Sequence, residues 1–406
     1  MRVLLVSPYH GGSHAAWAEG LRGHSEHDIE LLTLPDRFWK WRMHGGAATL
    51  ARRFLSGDTA GELDVILTTD MLDVTTFLAL TRRRTARCPL VLYMHENQLT
   101  YPLPDDPEQG PMRRQQGERD RHYAFVNYAS MLAADRVVFN SRYHLDAWFD
   151  ELPRFLRHFP EYNELGSVDA VRDKSSVLPV GIDCPAAPVD GDRGPERVRS
   201  APPSHAGNPG CTGNRGANEP AEESPLLLWN QRWEYDKNPA ELVRALRAVS
   251  ARGVDFRLAL CGQSFHQAPP DLAAARRTFA ARLVHYGFAE PGTYRELLRR
   301  ADVAVSTASH EFFGVAVLEA MAHGACAVLP GRLSYPELLA GEAVSDETRR
   351  LCLYTDHEGL VERLFRTLTD RGARRAAAAE LAANARRFCW PLVAPDYDRM
   401  LRDAAG

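Results

Sequence analysis

Short apolar, β-rich runs alternate along this chain with amphipathic helical stretches, and nothing constrains its fold more. Such alternation builds α/β domains with parallel sheets. In the first half the runs are RVLLVSP (2–8), DIELLTL (28–34), DVILTTD (64–70), PLVLYMHE (89–96), RVVFNS (136–141) and SSVLPV (175–180). In the second half they are PLLLWNQ (225–231), FRLALCG (256–262), RLVHYGF (282–288), DVAVST (302–307), CAVLP (326–330) and LCLY (351–354). Between the halves, residues 185–225 are dense in Pro, Gly and small polar residues and have no apolar period. Such a segment buries too little surface to offset its ordering entropy, so a flexible linker or insertion is expected there. A chain of 406 residues also exceeds what one hydrophobic core usually serves. The expectation is therefore a domain over 1–184, a linker over 185–225, a second domain over 226–390, and a helix at 391–406 packing back on the first domain. Ligands of open parallel sheets bind beyond the carboxyl ends of the strands, here in the cleft between the domains.

Composition excludes several classes. With 45% hydrophobic and 25% charged residues the chain is neither disordered throughout nor collagen-like. Lys+Arg 49 against Asp+Glu 53 leaves a net charge of -4, so overall charge makes no case for nucleic-acid binding, although a local basic patch stays open. The seven cysteines are scattered without a C-x-x-C pair, which suggests neither a zinc site nor a disulfide framework and fits a reducing compartment. The opening MRVLLVSPYHGGSH lacks a basic n-region and reads as a buried strand, not a signal peptide. No stretch reaches the ~18 uninterrupted apolar residues of a membrane span. A cytoplasmic protein is expected.

Four motifs carry candidate chemistry. Gly11-Gly12-Ser13-His14 follows the first strand and opens a helix, where a Gly pair lets the backbone approach a phosphate or sugar. A tight turn with Ser13 as N-cap would explain the same residues. His95-Glu96-Asn97-Gln98 ends the fourth strand, at the position for ligand contacts, though Asn97 and Gln98 could simply cap a turn. Arg232 and Lys237 follow the first strand of the second half, where a diphosphate could meet them; Glu234 and Asp236 could equally neutralise both. Ser309 to Ala320, SHEFFGVAVLEA, places Glu311 just before a helix opening at Gly314, with Glu319 eight residues on. At helical rise the two carboxylates would lie about 12 Å apart along the axis, too far for a glycosidase pair. Glu319 interrupts an apolar helix, and ribose hydroxyls would satisfy it; a protein partner would do so too. Tyr123, Val126, Asn127 and Ser130 share one helix face whose polar members could line a site. Arg113, Arg114, Arg119 and Arg121, near Tyr101, His122 and Tyr123, form a basic aromatic cluster able to grip RNA, or simply a solvated loop. A second cluster, Arg82, Arg83, Arg84 and Arg87, reads as a favourable helix end.

Together, Glu311-x7-Glu319, His310, Phe313-Gly314, Arg232 and Lys237 resemble the retaining GT-B nucleotide-sugar glycosyltransferases. HGGSH (10–14), MHENQLTYP (94–102), VVFNS (137–141), RWEYDKNP (232–239) and HEFFGVAVLEA (310–320) narrow the resemblance to the queuosine-tRNA mannosyltransferase family. It covers nearly the whole chain outside 185–225. Asn230-Gln231 and Asn238 depart from the family's usual Pro-His and Asp.

The resemblance implies an α/β GT-B architecture of two Rossmann-like domains, the first binding the acceptor and the second the nucleotide sugar. It implies transfer of mannose from GDP-mannose to the cyclopentenediol of queuosine in the anticodon of aspartate tRNA, with no metal and no tightly bound cofactor. His95, Arg232, Lys237 and Glu311 would be catalytic. Gly11, Gly12, Phe313, Gly314, Val315 and Glu319 would bind the donor. Ser13, His14, Glu96, Asn97, Gln98, Arg119, Tyr123 and Asn127 would meet the acceptor. Two other classes stay open: a glycosyltransferase with a lipid, glycan or small-molecule acceptor, and a non-catalytic nucleotide-sugar or RNA-binding module. No obligate protein partner is indicated.

Overall fold

The computed structural model describes residues 1–57, 62–102, 110–185, 224–263 and 269–406, with backbone alone over 110–120. Almost all of the expected linker therefore lies outside the described residues. All twelve apolar runs contain strands. In the first half these are β1 (Arg2–His10), β2 (Asp28–Pro35), β3 (Val65–Thr69), β4 (Leu90–Met94), β5 (Arg136–Phe139) and β6 (Ser175–Val177). The second half has β7 (Leu226–Asn230), β8 (Arg257–Cys261), β9 (Leu283–Gly287), β10 (Val303–Val305), β11 (Cys326–Pro330) and β12 (Leu353–Tyr354). They form two six-stranded sheets, in the orders β2-β1-β3-β4-β5-β6 and β12-β11-β10-β7-β8-β9. Among the described residues every strand pair is parallel.

Each central strand is apolar on both faces because helices cover both. Val3, Leu5, Leu67 and Val91 point into one core, and Leu4, Val6, Ile66 and Leu92 into the other. Strand order also places the site. In the first sheet the winding direction reverses between β1 and β3; in the second it reverses between β7 and β10. A crevice opens at such a switch point, beyond the carboxyl ends of the two strands. The glycine pair leaves β1 there, Arg232 and Lys237 follow β7, and Glu311 follows β10.

Helix Trp390–Ala405 packs beneath the first sheet. The Trp17 indole donates to the Tyr397 hydroxyl at 2.9 Å, and that hydroxyl donates to the Pro179 carbonyl at 2.9 Å. The cysteine reading requires a correction: Cys184 and Cys389, 205 residues apart, are joined in a disulfide. Sequence spacing conceals such a pair, which meets only because the backbone bridges Ile182 to Cys389 in the folded chain. Among the described residues, no helix is long and apolar enough to cross a membrane.

Candidate active site

The second sheet supplies most of the charge. Between β7 and helix Pro239–Ala251, a single 3-10 turn, Tyr235–Lys237, buries Asp236 and Lys237. The Lys237 ammonium lies 3.0 Å from Asp236 and 3.1 Å from Glu311, and donates to the His310 carbonyl at 2.9 Å. Burial opposes its charge, but Glu311 and Asp236 outweigh burial and raise its pKa. Glu311 shows the converse: burial would raise its pKa, yet Lys237 pulls it below the ordinary value. Both are therefore ionised at neutral pH. Arg232 is held loosely, 3.8 Å from Glu234 with 42% of its side chain exposed. It reaches across to the first half, donating to the Tyr101 hydroxyl at 3.3 Å.

The loop carrying Glu311 is clamped from both sides. Ser141 donates to the Phe312 carbonyl at 2.6 Å, and the His144 ring stacks on Phe312 with centroids 4.0 Å apart. Glu337 of the second half accepts from the backbone N–H groups of Arg142 and Tyr143, at 2.9 and 2.5 Å. That carboxylate satisfies the open amides at the start of helix Arg142–Leu156. Gly314 then turns the chain into helix Val315–Ala322 with φ 101°, a conformation that favours glycine. The first N–H groups of that helix, from Val315 on, have no partner within it and suit an anion. Phe313 is buried against Phe388.

The helical measure of the Glu311–Glu319 separation does not hold. The helix begins at Val315, so Glu311 sits on irregular backbone outside it, and helical rise does not govern the first half of the spacing. Glu319 accepts a hydrogen bond from the Tyr294 hydroxyl at 2.6 Å, so the protein already satisfies one oxygen. Burial raises its pKa to about 7, the Tyr294 bond opposing. Tyr294 also accepts from Asn230 at 3.1 Å, which ties the Asn230 departure into the same cluster. Asn238 takes φ 49° and caps helix Pro239–Ala251 through Glu241 N–H, a task an Asp side chain performs equally.

In the first half the glycine pair forms the turn into helix Gly12–His24. Gly11 is the N-cap without a side-chain bond, so Ser13 does not cap and is instead exposed. A Cβ on Gly11 would fall 2.0 Å from the Asp36 carboxyl, so that position has no room for a side chain. His14 is buried and His95 half-buried, with ring centroids 4.4 Å apart. Burial, with the nearby Arg232 charge, lowers His14 to about 3, and burial lowers His95 well below its ordinary value. Both rings are neutral at physiological pH. His14 Nδ1, His95 Nε2 and His310 Nε2 are buried without a hydrogen-bond partner. Buried polar atoms are normally paired, so three orphaned imidazole nitrogens around one cleft point to a polar ligand.

Several expected acceptor contacts hold the loop after β4 instead. Asn97 Oδ1 accepts from the N–H groups of Leu99 and Thr100, which is turn capping. Asn127 accepts from Gln98 N–H at 3.0 Å and donates to the Asp70 carbonyl at 2.8 Å, so its amide is spent on backbone. Ser130 bridges Leu72 and Val74 in the same way. Asn127 and Ser130 on this helix face thus bond to the turn after β3, while Tyr123 meets His44 through its hydroxyl, 3.1 Å apart, and Trp39 through its ring. Glu96 remains near the cleft, accepting from Gln98 Nε2 at 2.9 Å. Arg113, Arg114 and Arg119 have side chains outside the described residues, while Arg121 and His122 are exposed. Arg82, Arg83 and Arg84 end helix Val74–Thr85. Sequence reasoning missed Asp70, a buried carboxylate that accepts from His95 N–H at 2.9 Å. Its signal was available: it ends an apolar run at the carboxyl end of β3, the logic already applied to His95. Among the described residues, no group of three His, Cys, Asp or Glu side chains is arranged to hold a metal ion.

Comparison with known proteins identifies the family. The family model described as tRNA-queuosine alpha-mannosyltransferase N-terminal matches residues 2–182, and that of glycosyl transferases group 1 matches 213–388. A Drosophila melanogaster protein named tRNA-queuosine alpha-mannosyltransferase is 31% identical over 373 residues, covering 91% of this chain and 90% of its own. The chain belongs to the tRNA-queuosine alpha-mannosyltransferase family. It is a glycosyltransferase. A Xanthomonas oryzae GDP-mannose:cellobiosyl-diphosphopolyprenol alpha-mannosyltransferase is 25% identical over 158 residues, 36% of this chain and 41% of its own. Among solved structures, Anabaena HepE in complex with UDP and glucose superposes with TM-score 0.61 at 16% identity, over 99% of this chain and 100% of that one. Sucrose-phosphate synthase from Thermosynechococcus elongatus gives 0.64 at 14% identity, over 99% of both chains. These likenesses establish the GT-B fold for this member of the family.

Proposed function

We propose that the protein transfers mannose from GDP-mannose to a hydroxyl of the queuosine cyclopentenediol in the anticodon of aspartate tRNA, with retention of configuration. The near-full-length kinship to the Drosophila enzyme supports donor and acceptor. The observation that carries the chemistry is the Lys237–Glu311 pair beside Arg232, at the switch point where an anionic donor would lie.

In this reading the diphosphate takes Lys237, Arg232 and the open N–H groups at Val315. The bond between the sugar carbon and the diphosphate oxygen breaks, and the acceptor oxygen bonds to that carbon on the same face. The acceptor proton passes to the departing phosphate oxygen. Preorganised positive charge aimed at that oxygen is normally the largest catalytic contribution. Glu311 positions sugar hydroxyls once the diphosphate shares Lys237, and Glu319 receives the ribose. His95 and His14, being neutral, serve as hydrogen-bonding groups at the sugar edge, next to the glycine turn and Ser13. The two protein cations take the role a metal plays elsewhere, so turnover needs none, and no cofactor is held tightly. A tRNA substrate favours the cytoplasm, against which the Cys184–Cys389 disulfide stands, since such bonds persist mainly in oxidising compartments.

The deciding experiment is incubation with GDP-mannose and queuosine-containing tRNA, followed by nucleoside mass spectrometry for a hexose increment, with UDP-glucose and GDP-fucose alongside. Donor hydrolysis without a mannosylated nucleoside would favour a lipid or glycan acceptor, the reading that the Xanthomonas relative's name supports. Donor binding without GDP release would leave only a binding module.

A further inference from the structure

The segment Arg37–His44, RFWKWRMH, enters helix Trp39–Ser56 and has no part in the donor chemistry. Phe38 and Trp41 are 79% and 64% exposed, although large aromatic side chains normally seek burial. Phe38 also occupies the left-handed region with φ 54°, which costs energy for a residue with a side chain. The Trp41 indole rests on Gly45, where a Cβ would come within 3.0 Å of the ring. Both aromatics are thus held in place by backbone and presented to solvent.

Charge around them is mostly positive, with Asp36 the one carboxylate next to them in sequence. From Arg37 to Gly57 the chain carries Arg37, Lys40, Arg42, Arg52 and Arg53 and no carboxylate, a local departure from its net charge of -4. The aromatics continue inward. Lys40 lies over the rings of Trp39 and Tyr123, at 5.3 and 5.8 Å, and Trp39 and Tyr123 are 5.3 Å apart. Trp39 and Tyr9 border one small buried cluster, and Tyr9 is 5.8 Å from His14, which adjoins His95. The inner aromatics Trp39, Tyr123 and Tyr9 lead toward His14 and His95, and Phe38 and Trp41 adjoin Trp39 along the chain.

We infer that Phe38 and Trp41, flanked by Arg37 and Arg42, form a stacking platform for unpaired bases of the RNA acceptor next to the nucleoside that enters the cleft. The inference rests on the tRNA reading above and assigns that partner a surface. Unstacked bases are recognised by aromatic faces, with cations on the adjoining phosphates. An unpartnered apolar patch alone would suit other partners; five cations against the single carboxylate of Asp36, from Asp36 to Gly57, select a polyanion with planar groups.

The test uses the full chain with fluorescently labelled queuosine-containing aspartate tRNA. Phe38→Ala and Trp41→Ala should each weaken binding roughly 10-fold or more, and Trp41→Phe should retain most affinity. Arg37→Gln should lower the slope of log affinity against log salt by about one. GDP-mannose affinity and donor hydrolysis should not change in any of these, which shows that the variants fold. If the wild type binds and mannosylates tRNA while Phe38→Ala and Trp41→Ala bind it equally well, the platform is wrong and the acceptor stands. If the wild type does not bind tRNA, both fall. If the two variants lose binding only to phosphatidylglycerol vesicles, the surface serves a membrane and the inference is overturned.

Discussion

Lys237 stands between two carboxylates, with Glu311 3.1 Å from its ammonium and Asp236 3.0 Å away on the other side. The donor's diphosphate must therefore displace or share an existing partner. Replacing Lys237 with Ala should do two things. It should lower kcat by about 10²–10³, the loss typical of a transition-state donor. It should also destabilise the fold by roughly 3 kcal/mol, because Asp236 would be left fully buried without its cation, while the half-buried Glu311 keeps some solvent. Steady-state kinetics and denaturant unfolding check the two effects separately.

Arg232 should behave differently. Its side chain is 42% exposed and its nearest carboxylate is 3.8 Å away, so little folding energy depends on it. Arg232→Ala should cut kcat by about 10²–10³ with unfolding unchanged to within roughly 0.5 kcal/mol. A change confined to KM would mean that Arg232 binds the donor equally before and during reaction.

The contrast shows what the chain made legible. The central strands could be read because they are buried on both faces, so their apolar runs are continuous and short, while the outer β2, β6 and β9 are only half-buried and could be read from their apolar residues alone. Arg232, Lys237 and Glu311 could be read because they follow strand ends, where open sheets collect ligand contacts. Whether Asp236 neutralises Lys237 could not be read: adjacent side chains diverge or converge according to one tight turn, Tyr235–Lys237. Asn127 looked like a lining residue because periodicity reports which helix face is inward, not what that face meets. Helical rise could not measure the Glu311–Glu319 spacing for the same kind of reason, since Gly314 turns the chain between them before the helix begins. The Cys184–Cys389 pair depends on a contact across 205 residues, beyond any local pattern.

Adding EDTA should leave mannosyl transfer unchanged, because the diphosphate charge is assigned to Arg232, Lys237 and the N–H groups at Val315. The measurement is initial rate with and without chelator. A collapse reversed by magnesium would show that the protein cations are insufficient.

Glu319 sets a pH dependence whose sign follows from its environment. Burial raises its pKa from 4.5 to about 7, so between those values the folded protein holds a proton that the unfolded chain has released. Stability should therefore fall as pH climbs from about 4.5 to about 7, and Glu319→Gln should remove that slope. Ligand binding runs the other way. Ribose hydroxyls donate to the carboxylate form, so GDP-mannose binding should release a proton and tighten as pH rises through 7. Calorimetric titrations in two buffers of different ionisation enthalpy would measure that proton. Glu319→Gln should bind the donor more weakly, with a pH profile flat across neutrality. A wild-type profile that is already flat would mean that the Tyr294 bond alone holds Glu319 and that the ribose lies elsewhere.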